Sequence, residues 1–328
     1  MFDSKQIFTI QSEEDFQKTT LEVFRYQAQE NEVYKNFLNF LNVDYTTISH
    51  TDEIPFLPIQ FFKKNDIISG KRAVEKVFTS SGTTGMTTSK HLVTDLALYH
   101  YSLEKCFEQF YGPLSDYTIF ALLPSYLERN GSSLIDMVEY WIDKSNSPQS
   151  GFYLYNHDEL YENLLAHEKT GKKAILIGVS FALLDFVENY KMNLKNTIVM
   201  ETGGMKGRKK EITREELHHI LKEGFGTNEI HSEYGMTELL SQAYSRGDLT
   251  FKTPSWMRIL IRETEDPLRY VPEGKTGGVN VIDLANYNSI SFIATDDLGK
   301  KIKPNQFEIL GRFDHSDIRG CNLMIVES

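Results

Sequence analysis

Thr197-Ile-Val-Met-Glu-Thr-Gly-Gly-Met-Lys-Gly-Arg208, continued by Thr213-Arg-Glu-Glu-Leu-His-His-Ile-Leu-Lys222 and Glu229-Ile-His231, is the stretch on which the fold turns. Thr197–Met200 is a short apolar run of the kind a strand buries on both faces. A Gly-rich loop follows it. Thr213 and Glu216 then form a capping box, Leu217, Ile220 and Leu221 share one helical face, and Gly224 is expected to stop the helix. Glu229–His231 reads as the next strand. Strand, helix, strand in this order demands a crossover, so the two strands are expected to be parallel.

The same alternation extends outward. Thr118–Leu123 and Ala174–Gly178 are further apolar runs, and Leu96–Phe110 and residues 13–42 carry helical periodicity. The segment Ile54–Lys63 holds Pro55 and Pro58 and is expected to be extended. Beyond about residue 255 the pattern changes. Met257–Arg262, Val279–Leu284 and Ile290–Ala294 are closely spaced strand candidates with Gly- and Pro-containing turns. The expected architecture is therefore α/β: parallel strands with flanking helices over residues 1–255, a smaller, largely antiparallel β subdomain over 256–311, and a short tail over 312–328.

Composition narrows the function classes. The 328 residues carry a formal net charge of -11, with 40% hydrophobic and 25% charged residues. An acidic chain argues against a bulk nucleic-acid binder, which needs a basic face, but leaves room for a locally basic pocket for a phosphate ligand. Cys106 and Cys321 are the two cysteines, too few for a disulfide scaffold, so a reducing compartment is expected. No run reaches the roughly 20 apolar residues of a membrane span, and the first residues do not read as a signal peptide. A cytoplasmic protein is expected.

Four motifs carry chemistry. Ser80, Ser81, Gly82, Thr83, Thr84 and Gly85 follow the β-like Val77–Thr79. Small residues fold tightly around a ligand, successive N–H groups form an anion nest, and hydroxyls add donors for phosphate. No Gly-Lys-Ser/Thr follows, so this is not the common nucleotide-triphosphate loop. Gly203, Gly204, Met205, Lys206 and Gly207 succeed a buried-looking strand, at the end where open α/β sheets bind ligands. His231-Ser-Glu-Tyr-Gly-Met-Thr-Glu238 places a ring four residues before a carboxylate, suited to stacking on a base and to holding Mg²⁺ against phosphates. Thr295-Asp-Asp-Leu-Gly299 and Gly311-Arg-Phe-Asp314 offer a carboxylate for ribose hydroxyls and an arginine beside it. Each motif alone also fits an ordinary turn.

Taken in order and spacing, the motifs resemble those of acyl-adenylate-forming enzymes. The match is closer to the acyl-protein synthetases of the fatty-acid reductase complex of luminous bacteria. Ile54–Lys63, Phe78–His91 and Gly311-Arg-Phe-Asp-His-Ser-Asp-Ile-Arg-Gly-Cys-Asn-Leu323 carry that likeness, over about residues 50–328. The resemblance implies an adenylate-forming N-terminal-domain fold without the superfamily's C-terminal lid and its lysine. It implies ATP and Mg²⁺ as cofactors and a carboxylic, in this branch fatty, acid as substrate. Ser80–Gly85 would be the phosphate loop. Gly203, Gly204, Met205 and Lys206 with Tyr234 and Gly235 would wall the adenine, and Thr237 would lie beside them. Glu238 would hold the metal, helped by Thr84; Asp297 would bind the ribose with Arg312 as companion. Cys321 lies where the branch carries its acyl-accepting cysteine; the alternative is a small residue buried in a last strand. Arg319 is available to lower its pKa. His91, His231 and His315 are candidate bases only, whereas His218 and His219 read as structural.

Three functions follow. The first is an acyl-protein synthetase that forms acyl-AMP, then acyl-Cys321, then passes the acyl group to a partner, such as a reductase, an acyl-transferase or a carrier protein. The second is a ligase delivering the acyl group to CoA or a carrier thiol. The third is an inactive nucleotide-binding or scaffold subunit.

Overall fold

The computed structural model describes residues 4–80, 88–124, 131–203 and 212–313. Its helices are α1 (Glu13–Glu30), α2 (Glu32–Phe40), α3 (Leu96–Tyr111), α4 (Ser133–Ser145), α5 (His157–Glu168), α6 (Ser180–Asn189) and α7 (Arg214–Phe225). Its strands are β1 (Leu57–Pro58), β2 (Lys76–Thr79), β3 (Lys90–Val93), β4 (Thr118–Leu122), β5 (Gly151–Tyr153), β6 (Ala174–Val179), β7 (Thr197–Thr202) and β8 (His231–Tyr234). They continue with β9 (Ala243–Arg246), β10 (Phe251–Lys252), β11 (Met257–Arg262), β12 (Thr276–Asp283), β13 (Phe292–Lys303) and β14 (Gln306–Arg312).

One large mixed sheet runs β11-β12-β13-β14-β10-β9-β8-β7-β6-β4-β5, with β1 paired to β13; β2 and β3 form a separate hairpin. Strands β5, β4, β6, β7 and β8 are parallel. From β8 outward to β11 every pair on this path is antiparallel. The antiparallel strands therefore continue the parallel ones through β14, β10 and β9.

The parallel strands are apolar because both their faces are covered. Every residue of β4 and β6 is buried. α3 and α4 pack together, with Phe107 5.0 Å from Trp141. α5, α6 and α7 form the other layer: His157 lies 5.6 Å from Phe186, and α6 packs on α7. The pleat separates the layers. Glu201 on β7 faces α7, and its neighbour Thr202 faces the opposite side with Glu233.

Several local expectations shift. The helix expected over 13–42 breaks at Asn31, which has extended φ and ψ. Its side-chain oxygen caps α2 at Tyr34, and its amide donates to Ser69 Oγ and the Ser289 carbonyl. A buried polar side chain that serves three partners outweighs one continued helical turn. In Ile54–Lys63, β1 is followed by a 3₁₀ turn over Ile59–Lys63; Pro58 precedes the turn, where its missing N–H costs nothing. The α7 cap at Thr213 accepts from the Glu216 N–H, but the helix runs past Gly224 to Gly226, whose φ is +61°.

Gly224 is instead a contact point. A Cβ there would lie 2.5 Å from Val187 Cβ on α6. Gly224→Ala should therefore destabilise the protein by about 1–3 kcal/mol through overpacking, although alanine is the better helix former. Urea denaturation checks this; an unchanged or raised midpoint would show that α6 and α7 separate freely.

No helix among the described residues is long and apolar enough to cross a membrane. Cys106 is fully buried in α3, where burial pushes its thiol pKa up, so it is a core residue.

Candidate active site

The site forms at the carboxyl ends of β7 and β8, where the parallel half of the sheet meets the antiparallel half. Tyr234 ends β8 rather than lying in a following turn, because the strand spans His231–Tyr234 instead of the expected 229–231. Its hydroxyl donates to Asp297 Oδ2 at 2.7 Å. Arg312 Nε donates to Asp297 Oδ1 at 3.0 Å. Asp297 and Arg312 are register partners on β13 and β14, so the ladder itself sets this pair. Tyr234 is buried against Phe251 and Phe307, which hold the ring from the side of β10 and β14.

The adjacent Asp296 points away. Its Oδ1 accepts from Gln60 Nε2 at 2.5 Å, in the turn after β1. Strand alternation thus gives the two acids different neighbours, and Asp297 is the one beside Tyr234.

Thr237 and Glu238 follow Tyr234 on the same segment. His91 Nδ1 donates to the Thr237 carbonyl at 2.8 Å. A carbonyl only accepts, so the ring carries its proton on Nδ1; burial lowers the His91 pKa to about 4 and keeps it neutral. The Asn286 amide donates to the Glu238 carbonyl at 2.8 Å. The Glu238 carboxyl is buried, which raises its pKa, while a hydrogen bond from Ser89 and the charge of Arg312 act the other way. Ser89 is also tied to Ser80: the Ser80 N–H donates to the Ser89 carbonyl and the Ser89 N–H to Ser80 Oγ. Ser80, Ser89, Glu238, Asp297 and Arg312 are thereby drawn toward one region. Gly235 follows at the surface, and a Cβ on it would meet Glu233 Oε1 at 2.4 Å.

On the far side Gly203 has φ +70°, and its carbonyl accepts from Ser180 Oγ at 3.2 Å. The same hydroxyl donates to Glu201 Oε2 at 3.0 Å, and Arg214 Nε lies 3.4 Å from Glu201 Oε1. Ser180 was not singled out from sequence, although its place at the carboxyl end of β6 is a recognisable signal. Glu201 shares that signal at the carboxyl end of β7, whereas Gln60 and Asn286 carry none. Ser81, Gly82, Thr83, Thr84, Gly85, Gly204, Met205, Lys206, His315, Arg319 and Cys321 lie outside the described residues. His231 accepts from or donates to Tyr111 at 3.1 Å on Nδ1, and burial lowers its pKa to about 4.

Behind the site, Glu233 is buried and its pKa is raised to about 7 by desolvation, opposed by a hydrogen bond from Thr202. Between pH 4.5 and 7 the folded state then holds more proton here than the unfolded state. The Glu233 contribution to stability should fall as pH rises through that window and level off above it. Glu233→Gln keeps the shape without the charge. It should flatten this slope and gain of order 2–3 kcal/mol relative to wild type at pH 8. Denaturation at pH 5 and pH 8 reads the difference; equal pH slopes in the two proteins would disprove it.

Comparison with known structures defines the fold class as that of adenylate-forming ligases. An open conformation of 2-hydroxyisobutyryl-CoA ligase with 2-HIB-AMP and CoA matches with a TM-score of 0.68 at 10% identity, over 92% of this chain and 70% of that one. ATP-bound MatB from Rhodopseudomonas palustris matches with a TM-score of 0.56 at 15% identity, over 74% of this chain. The match spans about half of MatB, 49% of its length.

The family model for acyl-protein synthetase, LuxE, matches residues 137–328, and the chain belongs to this family. The long-chain-fatty-acid–luciferin-component ligase of Aliivibrio fischeri is 23% identical over 93% of this chain and 86% of its own.

Proposed function

We propose that Tyr234, Gly203 and Asp297 contribute to an ATP site and that Glu238 assists activation of a fatty acid, whose acyl group then passes to Cys321. The observation that carries this reading is the joined set Tyr234–Asp297–Arg312, with Thr237 and Glu238 continuing from Tyr234. A carboxylate held between a tyrosine hydroxyl and an arginine is oriented, and its remaining lone pairs suit a pair of ribose hydroxyls. The Tyr234 ring and the Gly203 backbone would bracket a flat base. Arg312, whose side chain is largely exposed, would meet an α-phosphate while its Nε holds Asp297.

The residues also fit Mg²⁺. The buried Glu238 carboxyl keeps a raised pKa despite the charge of Arg312, so it has room for a further cation, and a hard divalent ion bound through one carboxylate and phosphates is the usual Mg²⁺ arrangement. When bound, the ion would neutralise phosphate charge and favour departure of pyrophosphate. The chain's own task is to orient the acid against ATP and exclude water. An acid oxygen bonds to the α-phosphorus, and the bond to the pyrophosphate oxygen breaks. The Cys321 thiolate then bonds to the acyl carbon and AMP leaves, its phosphate taking the electron pair. Transfer from the thioester to a partner, such as a reductase, follows.

Asp297→Ala should raise the ATP dissociation constant about tenfold or more and leave acid affinity unchanged, because charge-assisted bonds are worth about 1.5–3 kcal/mol each. Equilibrium nucleotide binding tests this. Unaltered ATP affinity would remove Asp297 from the nucleotide site.

A further inference from the structure

Arg262 makes its side-chain hydrogen bonds within the sheet. It ends β11, and its Nη1 donates to the Val279 carbonyl at 2.9 Å and to Asn280 Oδ1 at 2.8 Å. Its Nη2 donates to the Thr295 carbonyl at 2.6 Å, two strands away on β13. The guanidinium also lies over the Phe313 ring, 5.6 Å from its centroid.

The path is made for it. A Cβ on Gly278 would sit 2.5 Å from the guanidinium carbon and 2.8 Å from Nε and Nη2. The side chain therefore crosses bare backbone where β12 loses regular register against β13, between Gly278 and Asn280.

What it reaches is the support of Asp297. Thr295 Oγ1 donates to the same Val279 carbonyl at 2.8 Å and accepts from the Asp297 N–H at 3.1 Å. Phe313, beneath the guanidinium, donates its N–H to the Asp296 carbonyl at 2.8 Å. One planar cation thus fixes the backbone before Asp297 and the residue after Arg312. Lysine has the charge but not the fork that serves three acceptors in different directions.

We infer that Arg262 is the positioning residue of the ribose site: through Thr295 and Phe313 it holds the Asp297–Arg312 pair in the geometry that reads ribose hydroxyls. This rests on Asp297 being the ribose acid. The test compares affinity for ATP and for 2′-deoxy-ATP in wild type, Asp297→Asn, Arg262→Met, Arg262→Lys and Gly278→Ala, together with KM for the acid.

If wild type binds both nucleotides equally, and Asp297→Asn changes neither, the Asp297 reading fails and this inference with it. If wild type prefers ATP and Asp297→Asn abolishes the preference, Arg262 is tested by itself. Arg262→Met should weaken ATP binding about tenfold, bring the ATP to 2′-deoxy-ATP ratio close to one, and leave the acid KM unaltered. Gly278→Ala should do the same with the arginine still present, and Arg262→Lys should fall between. Should Arg262→Met fail to fold, the lysine and alanine variants decide. A full wild-type preference for the ribose hydroxyl in folded Arg262 or Gly278 variants, whatever their stability, would overturn the assignment.

Discussion

Glu238→Gln is expected to reduce acid-dependent adenylation by at least a hundredfold while the protein melts as before. In the proposed reaction the developing charge on the phosphates must be met where water is scarce, and removing one group aimed at such charge costs about 10²–10³ in rate. Glutamine keeps the volume and one acceptor but cannot supply an anion to a divalent ion. The fold should tolerate it. The wild-type carboxyl is buried and its pKa is raised by desolvation, so a neutral amide replaces a group already costly to ionise. The backbone carbonyl of Glu238 keeps its bond from Asn286. Pyrophosphate exchange is the assay. Exchange at near wild-type rate in Glu238→Gln would remove Glu238 from the chemistry.

Cys321→Ser is expected to separate the two half-reactions. The residues assigned to adenylation end at Arg312, so acid-dependent pyrophosphate exchange should continue. Capture of the acyl group should fall at least a hundredfold, because a serine hydroxyl has no comparable anionic population near pH 7. Cys106 cannot substitute: it is fully buried, and its thiol pKa is pushed up by the same burial. Alkylation of wild type should reproduce the variant, and acid plus ATP should slow alkylation. A Cys321→Ser protein that still turns ATP into AMP at the wild-type rate with acyl transfer intact would identify another acceptor, such as CoA or a carrier thiol.

The sequence was most legible where both faces of an element are covered. β4, β6 and β7 read as apolar runs because helices bury them on each side, and α7 carried its cap in Thr213 and Glu216. It was least legible where one polar side chain answers to distant parts of the chain. Asn31 can cap α2 locally at Tyr34, but the amide bonds that make it the break between α1 and α2 go to Ser69 and Ser289, far along the chain. Gly224 looked like a helix stop, and only the neighbouring helix gives its true reason in Val187. In the site, Tyr234, Glu238, Asp297 and Arg312 were named from motif order. That Tyr234 bonds Asp297, and that Asp296 turns instead to Gln60, depends on strand register, which motif spacing does not encode. The support Arg262 acts through carbonyls of other strands and leaves no pattern of its own.

The most direct measurement is the intact mass of the protein after incubation with Mg-ATP and a panel of carboxylic acids, with no other thiol present. Wild type should carry an acyl adduct that needs both ATP and acid, is released by hydroxylamine, maps to Cys321 and is absent from Cys321→Ser. No adduct with any acid, or an equal adduct on Cys321→Ser, would contradict it.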